Sequence, residues 1–220
     1  MSNQVFALYT GYSRTDNDDN KLMYANCSCT LIRTKNGRNI IVDTMTAWDG
    51  DRIKGALAIH QLLPEDIHAV VCTHGHSDHT GCNYLFLNAE WHITGACISQ
   101  RDKYVQWDWE AAAFQLDVDN VMVVKTPGHT LQCVTVLVHN TQLGEMLGIC
   151  GDLFEKVEDI DKAELWLEAG SENAKEQRRQ RLQLAEICDY IIPGHGEGFV
   201  VTGAMRTKLR QQLQTDCNEQ

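Results

Sequence analysis

The feature that most constrains this chain is an apolar, β-branched run that leads directly into a cluster of metal-binding side-chain types. The run at 67–72 is followed by His74, His76, Asp78 and His79. Imidazole nitrogen and carboxylate oxygen are donors that suit zinc and related divalent metals. Four such side chains within six positions would crowd a single tetrahedral ion. The cluster therefore predicts two adjacent ions that divide it between them, with the missing ligands supplied from elsewhere.

Further candidate ligands recur in the same context, at a glycine-containing turn after an apolar strand. His129 follows a predicted strand at 120–125, Asp152 follows one at 146–150, and His195 follows one at 190–192. Neighbouring strands deliver their terminal loops to a common edge, where a site can form. The predicted metal ligands are therefore His74, His76, Asp78, His79, His129, Asp152 and His195. The remaining histidines, at positions 60, 68, 92 and 139, are expected to be structural or exposed.

Composition places the chain among globular proteins and narrows its partners. The 220 residues predict a single domain over 1–220, and no apolar run is long enough to cross a bilayer. The start of the chain lacks the features of a signal peptide, and the nine cysteines form no CxxC pair. We therefore expect a cytoplasmic protein, with a nuclear location as an alternative, that has reduced structural thiols and no membrane partner. The net charge of −11 argues against extended, non-specific RNA binding.

Periodicity predicts most secondary-structure elements. It predicts one long strand at 22–33, a helix at 51–63 that Pro64 ends, a helix from Gly81 onward, helical structure over 155–186 and a short tail helix from Arg206. Trp107 and Trp109 are expected to pack in the core. Phosphate contacts are expected from Arg101, Lys103 and the Arg178-Arg179-Gln180-Arg181 run, although a solvated helix face is the simpler interpretation of that run.

Thr73-His74-Gly75-His76-Ser77-Asp78-His79-Thr80-Gly81 resembles the HxHxDH signature of the metallo-β-lactamase superfamily. The remaining motifs of that superfamily are resembled, in order, by Val42-Asp43-Thr44, Pro127-Gly128-His129, Gly151-Asp152 and Pro193-Gly194-His195-Gly196. The resemblance covers nearly the whole chain. It implies an α/β (α+β) fold, the αββα sandwich, in which two mixed β-sheets face each other and helices lie on the outer faces.

The resemblance also implies a role for each residue. One metal is bound by His74, His76 and His129, the other by Asp78, His79 and His195, and Asp152 bridges the two. Asp43 supports the site from behind by orienting a ligating histidine. Asp78 is in addition the catalytic residue, which orients the nucleophile and passes a proton to the leaving group. The chain departs from the family at Met45, which stands where a glycine often follows the VDT motif.

The cofactors expected are two divalent metal ions, Zn²⁺ first, with Fe or Mn as alternatives. Two ions roughly 3.5–4 Å apart share a water and generate hydroxide near neutral pH, which predicts a metal-dependent hydrolase. A finer resemblance, to the glyoxalase II-like group, rests on Gly151-Asp152-Leu153-Phe154-Glu155 and residues 166–181. It implies endoribonuclease action of the histone pre-mRNA 3′-end type.

Other functions remain open from the sequence. The main alternative is a glyoxalase II-like thioester or ester hydrolase, so the expected partner is RNA or a small thioester or ester. A homodimer is also open. A metal-binding protein without turnover would be favoured by loss of a ligand, and all seven are present. A redox iron site of the flavodiiron kind would have glutamate at position 76, where this chain has histidine. A sulfur dioxygenase remains open and would hold one iron per chain.

Overall fold

The structure is a computed structural model that describes residues 2–19, 21–118 and 120–218, with side chains as far as 214. Positions 1, 20, 119, 219 and 220 belong to the predicted domain 1–220 but lie outside the described residues. The strands, in chain order, are β1 (Gln4–Tyr9), β2 (Tyr12–Thr15), β3 (Met23–Asn26), β4 (Cys29–Arg33), β5 (Asn39–Val42), β6 (Ala69–Cys72), β7 (Trp91–Thr94), β8 (Cys97–Gln100), β9 (Lys103–Val105), β10 (Phe114–Asp117), β11 (Val121–Lys125), β12 (Val134–Thr141), β13 (Gly144–Ile149), β14 (Tyr190–Ile192) and β15 (Phe199–Val200). The helices are α1 (Gly50–Ile59), α2 (Ser77–Thr80), α3 (Glu164–Glu168), α4 (Ala174–Ile187) and α5 (Gly203–Asn218).

The strands form two mixed sheets and one separate ribbon. The first sheet has the order β1-β4-β5-β6-β7-β8-β9, with β5, β6 and β7 parallel and the other pairs antiparallel. The second has the order β10-β11-β12-β13-β14-β15, in which only the β13–β14 pair is parallel. Strands β2 and β3 form a two-stranded antiparallel hairpin apart from both sheets. This ribbon is an addition to the predicted two-sheet architecture.

Three apolar clusters show how the layers stack. The largest joins the facing sides of the two sheets, for example Val71 of β6 with Val136 of β12. A second cluster holds α1 against the outer face of the first sheet, through Ile53 and Leu57. The third, which includes Leu184, packs α4 against the outer face of the second sheet. Helices therefore lie outside two central sheets, and the predicted αββα sandwich is confirmed.

The predicted single strand at 22–33 is wrong, because the chain bends between β3 and β4. At the bend, the backbone N–H of Ser28 donates to the carbonyl of Gly194 at 2.7 Å. The hydroxyl of Ser28 accepts a hydrogen bond from the backbone N–H of Gly11 at 3.0 Å. The first bond uses a backbone N–H that a continuous strand would offer to its neighbour. The two bonds also attach the base of the β2–β3 hairpin to the loop that carries His195.

The predicted helix from Gly81 onward is also wrong. The helical turn is α2, which ends at Thr80, and only a short 3-10 turn follows at Asn83–Leu85. The backbone N–H of Gly81 donates to Met45 O at 2.8 Å, and that of Cys82 donates to Thr44 O at 3.2 Å. Bonds to the loop after β5 thus replace the bonds that would extend the helix.

The other helical predictions hold with shifted ends. Helix α1 ends at Ile59, four residues before the predicted end. The 155–186 region contains α3 and α4, and the Asn173 side chain caps α4 by accepting a hydrogen bond from Glu176 N. The tail helix α5 starts three residues earlier than predicted. Among the described helices, none has the length and apolar character needed to span a bilayer.

Side-chain packing agrees with two further predictions. Trp107 and Trp109 pack against the inter-sheet cluster, as expected. The cysteines whose side chains are described are all free, and all of them except Cys97 are buried. The cytoplasmic location and the homodimer stay predictions.

Candidate metal centre

The seven predicted ligands lie in loops at one edge of the sandwich. The loop after β6 carries His74 and His76 and continues into α2 with Asp78 and His79. The loops after β11, β13 and β14 carry His129, Asp152 and His195 respectively. The structure therefore brings together every residue that the sequence assigns to metal binding.

Three imidazoles and one carboxylate form the first group. Nδ1 of His76 lies 2.9 Å from Nε2 of His74 and 3.2 Å from Nε2 of His129. Oδ2 of Asp152 lies 3.4 Å from Nε2 of both His74 and His129. Donors at zinc–nitrogen distances around a tetrahedral ion would be separated by about 3.3 Å. The four donor atoms therefore fit one tetrahedral ion.

The second group shares Asp152 with the first. Oδ1 of Asp152 lies 3.2 Å from Nε2 of His79 and 3.3 Å from Nε2 of His195. Oδ2 of Asp78 lies 3.9 Å from the same atom of His79 and 3.7 Å from that of His195. These donors surround a second position next to the first, with the two oxygens of Asp152 facing different groups.

Unsatisfied polar atoms show that this arrangement suits a cation. Nε2 of His79 and Oδ1 of Asp152 are buried, yet neither makes a hydrogen bond within the described part of the chain. Leaving buried polar atoms unpaired costs free energy unless another partner is present. A divalent ion bound between these converging atoms would be their missing partner. The side chains present therefore fit a metal pair.

Hydrogen bonds behind the imidazoles fix their orientation. Oδ2 of Asp43 lies 3.0 Å from Nδ1 of His79. Nδ1 of His129 lies 2.7 Å from the carbonyl oxygen of Gly170, and Nδ1 of His195 lies 3.1 Å from that of Asn26. Each contact leaves Nε2 directed at the centre, as outer partners of metal-bound histidines usually do.

Left-handed backbone shapes the wall of the site. Asp43 and Met45 have φ values of 60° and 58°, a region that costs a non-glycine residue roughly 1–2 kcal/mol. Met45 thus keeps the conformation that the family's frequent glycine would adopt without strain. Gly151 has a φ of 50°, and a Cβ there would collide with the side chain of Thr73. Thr73 in turn donates from its backbone N–H to Oδ1 of Asp43 at 2.7 Å.

Burial and charge shift the pKa values of the centre in the metal-free protein. Burial lowers the pKa of His129 to about 4 and also lowers that of His74. Burial disfavours the charged form of His195, but the Asp152 carboxylate outweighs it and raises the pKa of His195 to about 9. Despite burial, the imidazole of His79 holds the pKa of Asp152 well below its usual range. Burial thus favours the neutral, cation-binding form of His74 and His129, whereas His195 must release a proton before it can bind a metal.

Access to the centre is uneven. His76 is exposed and the side chain of Asp78 is about one-fifth exposed, whereas His74, His79, His129, Asp152 and His195 are buried. The solvent side of the centre is thus formed by His76 and Asp78. The catalytic role of Asp78 stays a prediction, and its position at this opening suits that role.

The predicted phosphate contacts are mostly elsewhere. Strand β8 runs antiparallel to β7, so the turn with Arg101 and Lys103 lies at the end of the sheet opposite to Thr73. Arg181 is fully buried and pairs with Asp159, and Arg179 pairs with Glu176. The interpretation of the 178–181 run as a solvated face is therefore wrong for Arg181. Helix α4 uses that side chain to hold the turns after β13.

Sequence reasoning missed Glu155, a buried carboxylate whose Oε2 lies 3.9 Å from Nε2 of His195. One signal was available, since Glu155 directly follows the apolar pair Leu153-Phe154 in the turn that carries Asp152. The carbonyl groups of Asn26 and Gly170 had no sequence signal, because any residue type supplies a carbonyl.

Comparisons with known proteins identify the family of this chain. Residues 24–195 match the family model described as the metallo-beta-lactamase superfamily. A Xenopus laevis protein named metallo-beta-lactamase domain-containing protein 1 is 36% identical over 199 residues, covering 90% of this chain and 81% of that protein. A human protein of the same name is 36% identical over 164 residues, which is 74% of this chain and 59% of the human protein.

A solved structure shows the same fold. The crystal structure of a putative metallo-beta-lactamase from Thermotoga maritima superimposes with a TM-score of 0.64 at 19% identity, covering 91% of this chain and all of that one. The two proteins thus share a fold at low sequence identity. The chain belongs to the metallo-β-lactamase superfamily and is one of its metal-dependent hydrolases.

Proposed function

We propose that this hydrolase carries two divalent metal ions and cleaves phosphodiester bonds in short, single-stranded RNA. The observation that carries the proposal is a cleft of about 360 Å³ that reaches Glu155, next to the second group of ligands. Its lining residues are Ser13, Arg14, Thr15, Met23, Glu155, Lys156, Leu165, Glu168 and Ala169. The cleft runs between the β2–β3 hairpin and α3.

Two cations in this cleft suit a phosphate backbone. Arg14 and Lys156 both line it, and a guanidinium or ammonium group is a charge-assisted donor to phosphate oxygen. The guanidinium of Arg14 also lies over the ring of Tyr24, 4.4 Å from its centroid. These two residues take the place of Arg101 and Lys103 as the proposed phosphate contacts.

Exposed aromatic rings beside the centre suit unpaired bases. Tyr12 and Tyr24 are exposed on the hairpin, and Trp48 is 91% exposed in the loop after β5. That loop is joined to the hairpin by a hydrogen bond from Nδ2 of Asn26 to Oδ2 of Asp49 at 2.8 Å. Stacking of bases on such rings stabilises single-stranded complexes without a basic face over the whole protein.

The residues of the centre divide the chemistry between them. Divalent ions held by the two groups would supply the Lewis acidity that activates water and offsets developing negative charge. His74, His79, His129, Asp152 and His195 would hold the ions in a buried pocket. Asp78, at the opening, would accept a proton from the attacking water and return it to the leaving oxygen.

A second candidate is hydrolysis of a small thioester or ester. It is favoured by the limited volume of the cleft. It is also favoured by Glu168 on the cleft wall, whose negative charge would repel a continuous run of phosphates. The net charge of −11 points in the same direction. Both candidates use the same centre, so the choice depends on the cleft residues.

A parallel assay separates the candidates. Metal-loaded protein is given a labelled single-stranded RNA of about ten nucleotides or S-lactoylglutathione, and initial rates are compared. We expect RNA cleavage that Asp152→Asn abolishes, and a KM for RNA that rises about tenfold in Arg14→Gln and in Lys156→Gln, since each removes one charge-assisted bond.

The matched control is Arg101→Gln, which removes an arginine at the opposite end of the sheet and should leave the KM unchanged. Cleavage of the thioester alone would replace the first candidate with the second. An equal effect of Arg14→Gln and Arg101→Gln on RNA cleavage would show that the cleft does not bind the substrate.

A further inference from the structure

Glu155 is a buried carboxylate that neither the superfamily motifs nor the seven-ligand set explains. Its side chain is 4% exposed, and Oε2 lies 3.9 Å from Nε2 of His195. The potential donor atoms of Asp152, Glu155 and His195 all lie within 4.8 Å of one another. A charged carboxylate that is buried needs compensation, and a cation held by Asp152 and His195 would provide it.

Backbone contacts hold Glu155 in this place. Its N–H donates to Oδ2 of Asp159 at 2.8 Å, and its carbonyl accepts from the N–H of His195 at 2.8 Å. Asp159 is itself held by Arg181, whose Nη1 donates to the same Oδ2 at 3.1 Å. The side chain is therefore directed at the centre by a rigid turn that is bonded to a ligand loop on one side and to α4 on the other.

We propose that Glu155 is an additional carboxylate donor to the second metal position and makes the two positions chemically unequal. This inference rests on the proposed two-metal centre. The first position has three nitrogens and one oxygen, which suits tetrahedral zinc. Glu155 is grouped with Asp152 and His195, so it would add a third oxygen to those of Asp78 and Asp152, beside the nitrogens of His79 and His195. Five donors rich in oxygen favour an ion with a higher coordination number, such as Mn²⁺ or Fe²⁺.

The alternative role for Glu155 is purely structural, and Glu155→Gln distinguishes the two. The substitution keeps the shape of the side chain and both backbone hydrogen bonds but removes the charge. A structural role would therefore leave metal binding unchanged. Glu158→Gln is the matched control, because Glu158 is an exposed carboxylate three residues further along the same segment.

The test is calorimetric titration of metal-free wild type, Glu155→Gln and Glu158→Gln with Mn²⁺ and, separately, with Zn²⁺, under anaerobic conditions. We expect the Kd for Mn²⁺ at the second position to rise about tenfold or more in Glu155→Gln. The Kd for Zn²⁺ should change much less, and Glu158→Gln should match the wild type for both metals. Thermal unfolding of each metal-free variant confirms that it is folded.

The outcomes separate this inference from the proposed function. If the wild type binds two ions and Glu155→Gln binds Mn²⁺ as tightly as the wild type does, Glu155 is not a donor and only this inference fails. If the wild type binds fewer than two ions with Zn²⁺ and with Mn²⁺ alike, the two-metal centre fails and this inference fails with it.

Discussion

Replacement of Arg181 by methionine tests how the centre is held by the outer helix layer. Arg181 and Asp159 are both 0% exposed and form an ion pair. Nη1 of Arg181 also donates to the carbonyl of Leu153 at 2.8 Å, within the turn that carries Asp152 and Glu155. Methionine fills similar volume but leaves the Asp159 carboxylate buried with the backbone N–H of Glu155 as its remaining strong donor.

The expected loss is large because a buried charge loses its partner. Removing one member of a buried pair typically costs about 3–5 kcal/mol. For a chain of this size, that loss corresponds to a fall in Tm of roughly 6–20 °C. The measurement is denaturant and thermal unfolding of the metal-free proteins, followed by metal titration, since displacement of the turn should also weaken binding.

Two controls make this prediction specific. Arg179→Met, in the same helix, removes a half-exposed arginine that pairs with Glu176 and should cost less than about 1 kcal/mol. The double substitution Arg181→Met with Asp159→Leu should recover much of the stability, because an apolar replacement of both partners is often tolerated. A cost for Arg181→Met no greater than that for Arg179→Met would refute the reasoning.

Three further predictions follow from the site. In the metal-free protein, the pKa of His195 is raised to about 9. Its contribution to the free energy of unfolding is therefore fully present below about pH 6.5 and is lost as the pH rises to about 9. The expected loss is about 3 kcal/mol. Denaturant titrations at pH 6 and pH 9 should show this fall relative to His195→Gln, and a constant difference between the two proteins would contradict it. Met45→Gly should be about 1 kcal/mol more stable than Met45→Ala, since both lose the buried side chain but only alanine retains the left-handed strain; equal stabilities would argue against that strain. A chelator should lower the Tm of metal-loaded wild type, since ions at 1,000 times their Kd stabilise by about 4 kcal/mol each; the same shift in Asp152→Asn would mean that the chelator acts elsewhere.

The candidate ligands could be predicted from sequence because their signal is local. Each one follows an apolar strand, and parallel or adjacent strands end at one edge of a sheet. His129 and His195 were identifiable in this way although the chain separates them from His74 by 55 and 121 positions. The fold class was implied by the order of the same motifs and is confirmed by the two sheets and their outer helices.

The remaining features depend on long-range contacts that a local pattern does not contain. Ser28 and Cys82 form hydrogen bonds with distant loops, so the predicted strand at 22–33 bends and the predicted helix after Gly81 does not form. Arg181 lies in a basic run that resembles a solvated face, yet Asp159 and the carbonyl of Leu153 draw it into the interior. Glu155 joins the centre for the same reason, because its turn is bonded to the loop of His195.

The central claim is that each chain binds two metal ions through a shared carboxylate, and the metal content of the purified, reconstituted protein tests it most directly. Elemental analysis by mass spectrometry should give two divalent ions per chain for the wild type and substantially fewer for Asp152→Ala, because Asp152 faces both groups of donors. One ion per chain in the wild type, such as a single iron, or an unchanged content in Asp152→Ala, would contradict the account.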